Sequence, residues 1–168
     1  MTQARDEHPR AAELIRQLDL QPHPEGGFYR ELFRSTSPVD PHDDRSARPA
    51  LTTIYFLLTA DSVSRWHRVR SDEVWHLYEG GPLDLFDLDV TTGRLASVRL
   101  GLVTTDGTHP VHVVEAGHWQ AARSHGPYAL MGCTVGPGFD FDDFRLMSDD
   151  PAASKLVRDT WPELAPLI

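Results

Sequence analysis

The sequence predicts an all-β barrel of antiparallel strands with one short helix at each end. Three observations point to it. Between Phe28 and Val135 the chain is a succession of short strand-like runs separated by glycine, proline and aspartate turn signals. No stretch in that interval repeats apolar residues at helical spacing. Helical periodicity is confined to the two ends, and regular strand spacing of this kind builds a sandwich or barrel.

In "PRAAELIRQLDL" the residues Ala11, Leu14, Ile15 and Leu18 share one helical face, with Pro9 near the start, so a helix is expected over 9–20. "QPHPEGG" breaks it, and the glycine pair permits a tight turn with positive φ. Glu25 in that turn either caps backbone amides or edges a cavity. Strands follow near 28–35, 51–58, 62–69, 73–79, 83–90, 94–100, 111–115, 119–123 and 127–135. Their turns carry Gly80-Gly81-Pro82, Thr92-Gly93, Asp106-Gly107, Ala116-Gly117 and Gly126-Pro127. Residues 35–49, "STSPVDPHDDRSARP", are too polar for core and suit a mobile flap. In "PGFDFDDF" the alternating Phe139, Phe141 and Phe144 latch the segment onto the barrel, and the spacing is not that of a calcium loop. A closing helix is expected over about 150–161, where Leu156, Val157 and Trp161 share a face and Pro162 stops the run. The chain thus reads as a single domain over 1–168, with the barrel at about 28–146.

With 168 residues, 40% hydrophobic and 24% charged, the chain can bury a full core. No apolar run reaches the length of a membrane span, and the first ten residues lack the apolar stretch of a secretory signal, so a cytoplasmic protein without membrane contact is expected. A net charge of −9 repels a nucleic-acid backbone. Cys133, the single cysteine, excludes an internal disulfide and lies in the apolar run "YALMGCTVG" as a buried thiol. No P-loop, dinucleotide fingerprint, nucleophile elbow or HExxH motif is present.

Functional residues concentrate in "SRWHRVRSDEVWHLYEG", residues 64–80. Read as a hairpin turning at Arg70-Ser71-Asp72, it sets Val69 opposite Glu73, His67 opposite Trp75 and Arg65 opposite Leu77. One face then holds Arg65, His67 and Glu73 among apolar neighbours, and such a mixture favours a ligand cavity over solid core. Glu73, diagonal to His67, would fix its tautomer and raise its basicity. Arg65 or Arg30 would hold a carboxylate or phosphate, and Trp75 or Trp119 would stack on a sugar or flat ring. Strand parity puts His76 on the opposite face unless a bulge returns it.

These residues resemble the first signature of the cupin superfamily, a strand-borne His-x-His followed by glutamate and, after six residues, glycine. His67, Glu73 and Gly80 match it, and Val69 stands in the second histidine's place. The second signature falls on "EAGHWQ", residues 115–120, with Gln120 where the last histidine ligand belongs. "PHPEGGFYRE", "YFLLT", "HRVRSDEVWHLYEG", "AGHWQAA" and "CTVGPGFDFDDF", in that order, resemble the fifth of the catalogued cupin families, a group without an assigned reaction. The resemblance implies a double-stranded β-helix or jelly-roll barrel, commonly a homodimer, similar in fold to the sugar-nucleotide epimerase cupins. It also implies that a tyrosine, Tyr29, Tyr55 or Tyr128, returns a proton to the far face of a substrate. The expected function is that of a small-molecule enzyme, isomerase- or epimerase-like, on a polar, anionic or sugar-like ligand, with His67 as base, Glu73 as its partner and no cofactor. The alternatives are a non-catalytic small-ligand barrel and a metal-dependent oxygenase-type cupin holding a divalent metal with His67, Glu73, His76 and Gln120.

Overall fold

The computed structural model describes residues 8–168; residues 1–7, which the single-domain reading includes, lie outside it. Alternation along each strand sorts the side chains into layers. In β5 (Thr52–Thr59), Phe56 and Leu58 point into the barrel, while Leu57 points outward against Ala11, Leu14 and Leu20. Helix α1 (Pro9–Gln17) covers that outer face, which is why β5 reads as a continuous apolar run. The opposite sheet is covered in the same way by α2 (Pro151–Thr160), whose Val157 packs on Trp66, Trp119 and Phe86. The Asp150 carboxylate caps α2 by accepting the Ala153 N–H at 3.0 Å. A 3₁₀ turn (Pro162–Leu167) extends the cover through Leu164 and Leu167.

Two antiparallel sheets enclose the interior. One runs β1 (Gln21–Pro22), β2 (Phe28–Arg34), β5, β12 (Tyr128–Gly136), β7 (Asp72–Gly80) and β10 (Val111–Val114). The other runs β13 (Phe144–Leu146), β6 (Val63–Val69), β11 (Trp119–Ser124), β8 (Leu83–Asp89) and β9 (Arg94–Leu100). This is the all-β jelly-roll arrangement with short terminal helices. Asp87 of β8 ties the sheets together, accepting from His112 Nε2 of β10 at 3.0 Å and from His118 Nδ1 at 2.8 Å. Among the described residues no helix is long and apolar enough to cross a membrane.

The nine expected strands lie within a residue or two of their observed ends. Three other expectations need correction. Helix α1 stops at Gln17 instead of running to 20, because Asp19 takes a left-handed φ of 53°. The expected hairpin of residues 62–79 does not exist: β6 and β7 belong to opposite sheets, and residues 70–71 cross the end of the barrel between them. Adjacent strands in sequence usually pair, but a jelly roll sends consecutive strands to facing sheets. The polar segment 35–49 is pinned rather than free. Its short strands β3 (Pro38–Val39) and β4 (Arg48–Pro49) pair, and buried Arg48 grips buried Asp143 through Nε at 2.9 Å and Nη2 at 3.1 Å. Arg45 adds bonds to Asp143 at 3.3 Å and Ser71 at 3.0 Å.

Burial opposes the Asp143 charge, but the two guanidiniums prevail and hold its carboxyl below the usual carboxylate range. That depressed folded value makes the pair stabilising at neutral pH, with the contribution lost as pH falls through it. Arg48→Met should lower stability by about 3 kcal/mol in urea unfolding at pH 7 and by clearly less at pH 3, since it strands a buried carboxylate. An equal loss at both pH values would contradict this account.

Candidate functional site

The turn after α1 places the first functional group. Gly26 has φ 114° and Gly27 φ 67°, and a Cβ on Gly26 would lie 2.0 Å from the Val63 carbonyl oxygen. Only glycine lets the turn lie flat on β6. The Glu25 carbonyl there accepts the Arg65 N–H at 2.8 Å, and the Glu25 carboxyl enters the barrel beside β6.

Strand β6 contributes an irregularity of its own. Gln120 opposes His67 but Ala122 opposes Ser64, so Arg65 and Trp66 together face the single residue Ala121. This bulge brings Ser64, rather than Arg65, onto the inner face with His67. Ser64 Oγ donates to Glu25 Oε1 at 2.7 Å, and His67 Nε2 lies 3.2 Å from Glu25 Oε2. The other ring nitrogen, His67 Nδ1, is 2.7 Å from the Arg65 carbonyl. His23 Nδ1 accepts the Glu25 backbone N–H at 3.2 Å and lies 3.4 Å from the same Oε2.

Glu73 enters from β7 and is held from behind. Trp75 Nε1 donates to Gln120 Oε1 at 2.8 Å, and Gln120 Nε2 donates to Glu73 Oε2 at 2.6 Å. The Cys133 thiol lies near enough to interact with Glu73. Together Glu25, His67, Glu73 and Cys133 form the buried side of a cavity of about 280 Å³. Val69, Ile54, Phe56 and Val135 supply apolar wall; Tyr29, Arg30, Arg34, Phe139, Phe141 and Phe144 line it further, and Asp19, Gln21, His23, Glu31 and Thr52 complete it. Arg34 is engaged by Glu31 and the Phe139 carbonyl, whereas Arg30 spends one N–H on the Leu18 carbonyl at 3.1 Å.

Burial dominates the titration of this cluster. It lifts Glu25 to about 8 and Glu73 to about 7, and it lowers His23 to about 4. His67 is also lowered, because burial outweighs the attraction of Glu73 and the bond to the Arg65 carbonyl.

Of the residues singled out from sequence, His67, Glu73, Tyr29 and Arg30 line the cavity. Five others do not. Arg65 turns its guanidinium onto the Pro24 and Glu25 carbonyls, a result of the bulge. Trp75 is solid core, edge-on to Phe56 at 5.8 Å. Gln120 is buried behind Glu73. Trp119 lies on the far side of its sheet beneath α2, with the Arg68 guanidinium 4.8 Å from its ring. His76 stays on the outer face, near Tyr78, because the bulge in β7 falls beyond it, between Leu77 and Glu79. Of the other tyrosines, Tyr128 donates to Glu79 and Tyr55 packs in the outer cluster under α1.

The expected His67–Glu73 pairing is replaced by a His67–Glu25 contact, with Glu73 acting on His67 through its charge. Of the two roles considered for Glu25, the cavity edge is the one observed. His23 and Cys133 were missed as cavity residues; the histidine beside the glycine turn was the available signal.

The family's metal positions fall on His67, Val69, Glu73 and Gln120. Val69 has no donor atom, and the Gln120 carboxamide is committed to Trp75 and Glu73. Among the described residues no group of three or more His, Cys, Asp or Glu is arranged to hold a metal ion. The side chains present do not fit a cupin metal centre.

Residues 12–147 match the family described as Cupin superfamily (DUF985). An uncharacterised protein of Saccharomyces cerevisiae is 27% identical over 160 residues, covering 86% of this chain and 79% of its own. A hypothetical protein from Leishmania major superposes with a TM-score of 0.80 at 32% identity, over 94% of this chain and 96% of that one. A protein from Shewanella oneidensis gives 0.78 at 34% identity, over 94% and 93%.

The cluster makes stability depend on pH in a definite direction. Folded Glu25 and Glu73 keep protons that the unfolded chain releases above about 4.5, so they lower stability as pH rises. Folded His23 and His67 lack protons that the unfolded chain holds below 6.5, so they raise it over that lower window. The two trends oppose each other below 6.5, and the carboxyls act alone above it. Urea unfolding should show a fall of about 2 kcal/mol between pH 6.5 and 8. Glu25→Gln should remove most of that fall; an unchanged slope in the variant would refute the assignment.

Proposed function

Because the chain belongs to the DUF985 family of the cupin superfamily, we propose that it is a metal-independent acid–base enzyme of isomerase or epimerase type. Its substrate is a small polar ligand, anionic or sugar-like, taken into the barrel cavity. The observation that carries this reading is the contact of Glu25 Oε2 with His67 Nε2 at 3.2 Å, beside a second buried carboxyl, Glu73, in an accessible cavity. Proton transfer to and from carbon needs groups whose affinities lie near the working pH, and burial has moved both carboxyls toward it while keeping His67 neutral. His67 and Glu73 handle the proton, with Glu25 as the direct partner of the imidazole. Arg30, with N–H groups to spare, anchors an anionic end, and Tyr29 faces the same space. A volume of about 280 Å³ accommodates one ring and its substituents, so a nucleotide-linked sugar would leave its nucleotide outside.

The phenylalanine lining of Phe139, Phe141 and Phe144 supports a second reading, a barrel that binds a flat ligand without changing it. Hydrogen exchange separates the two. A panel of hydroxy acids, keto acids and sugar acids incubated in D₂O should show enzyme-dependent deuterium uptake at carbon by NMR, reduced about 100-fold or more in His67→Gln. Exhaustive treatment with a chelator should leave the rate unchanged. Binding without uptake across the panel would favour the binding barrel, and a rate lost to chelator and restored by metal would overturn the metal-independent reading.

We also propose a homodimer. Among the described residues β2 has a free edge beyond Tyr29, because β1 pairs only with Phe28 and Tyr29, and Leu32 and Phe33 there are exposed. Sedimentation at micromolar concentration should give twice the chain mass, reduced to the monomer by Phe33→Asp.

A further inference from the structure

Hydrogen-bond direction tells the two cavity carboxyls apart. The Arg65 carbonyl can only accept, so His67 Nδ1 carries the hydrogen and a neutral His67 turns a lone pair from Nε2 toward Glu25 Oε2. His23 Nδ1 accepts the Glu25 backbone N–H, so it carries no hydrogen to give to that oxygen. One carboxyl oxygen thus faces two ring nitrogens without hydrogens, and the arrangement is satisfied by a single proton on Oε2, donated to His67 Nε2. Ser64 meets the remaining oxygen as a donor.

Glu73 has the opposite surroundings. The Trp75 indole can only donate, so Gln120 must offer Oε1 to it and its NH₂ to Glu73. A donor on this side suits a carboxylate.

From these constraints, and resting on the acid–base reading above, we propose that Glu25 is the proton donor and Glu73 the proton acceptor of the cavity. The pair is matched to a monocyclic-sized carbonyl compound with a C–H bond next to the carbonyl. Glu73 takes the proton from that carbon; the C–H electron pair becomes a carbon–carbon double bond, and the carbonyl π pair moves to oxygen. The oxygen receives the Glu25 proton, giving the enol. Glu73 is then the acid and Glu25 the carboxylate, so the net charge is unchanged. Return of the proton from Glu73 to the face it left restores the carbonyl compound, return to the other face after the enol has turned over in the cavity racemises the carbon, and exchange of Glu73 with solvent brings in deuterium. Gln120 and Trp75 are positioning residues in this scheme, since they reach the substrate only through Glu73. Paired carboxyls also serve glycosidases, but there the substrate carries a group on each side of the scissile bond, and about 280 Å³ holds one ring. Burial leaves Glu73 at about 7 and Glu25 at about 8, so Glu73 ionises first.

Infrared spectroscopy of the full chain tests the proton placement without any substrate. At pH 7.5, between those two values, the wild-type protein should show the carbonyl stretch of a buried protonated carboxyl. Glu25→Gln should remove most of the band and Glu73→Gln should keep it; the reverse pattern overturns the proposal. Gln120→Leu, which touches neither carboxyl covalently, should raise the pH at which Glu73 ionises; an unmoved Glu73 also overturns it. Phenylpyruvate in D₂O probes the chemistry. Deuterium uptake above the buffer rate is expected in the wild type, lost at least 100-fold in Glu73→Gln and Glu25→Gln and 10-fold in Gln120→Leu. Uptake retained in Glu73→Gln overturns the donor–acceptor assignment and spares the isomerase reading. The expected infrared pattern with no uptake on phenylpyruvate or the keto-acid panel sinks the isomerase reading and keeps the proton assignment.

Discussion

A carboxyl group buried against a histidine ring governs the shape of this barrel's interior. Glu25 is 6% exposed, and among the described residues no arginine or lysine side chain hydrogen-bonds its oxygens. An unpaired carboxylate in that position would be prohibitively costly, so the chain must supply polar partners and favour the neutral form. Ser64, His67 and His23 are those partners, and each constrains its own backbone. The bulge in β6 exists where Ser64 and His67 both need to face inward. The glycine turn lies against β6, and from there Glu25 reaches them.

The fold was legible in the sequence because its signals are local. Turn residues and alternation locate a strand whichever sheet it joins, and both helices announce themselves by periodicity. Partner choice is not local, and this is where residues 62–79 misled: the same alternation fits a hairpin and a corner between sheets. His67 and Glu73 were still placed on inward faces, since inward is inward from either sheet. Arg65 was lost to a one-residue slip that no pattern in "SRWHRV" betrays. Trp119 was lost because its strand is covered on both sides, by the cavity and by α2, so that apolar character no longer tells inside from outside.

The missing metal ligands are also legible as chemistry. With Val69 apolar at one position and Gln120 at another, the interior loses donors that would bind a cation and gains a carboxamide that stabilises a carboxylate. Gln120 can do this only because Trp75 fixes which end of the amide faces Glu73. An interior built around a cation in one setting becomes, with two such changes, an interior built around the placement of a proton.

The position of β12 has a consequence for the newly made chain. It pairs with β5 on one side and with β7 on the other, so the middle of the six-stranded sheet is missing until Tyr128–Gly136 has been synthesised. Until then β5, with Phe56, Leu57 and Leu58, has an open edge and an apolar face, the kind of surface that chaperones hold and neighbouring chains aggregate on. Such long-range pairing folds slowly. The same late strand carries Cys133 and Val135 of the cavity wall, so the cavity closes as β12 docks, and until then the carboxyls remain in water with ordinary acidity.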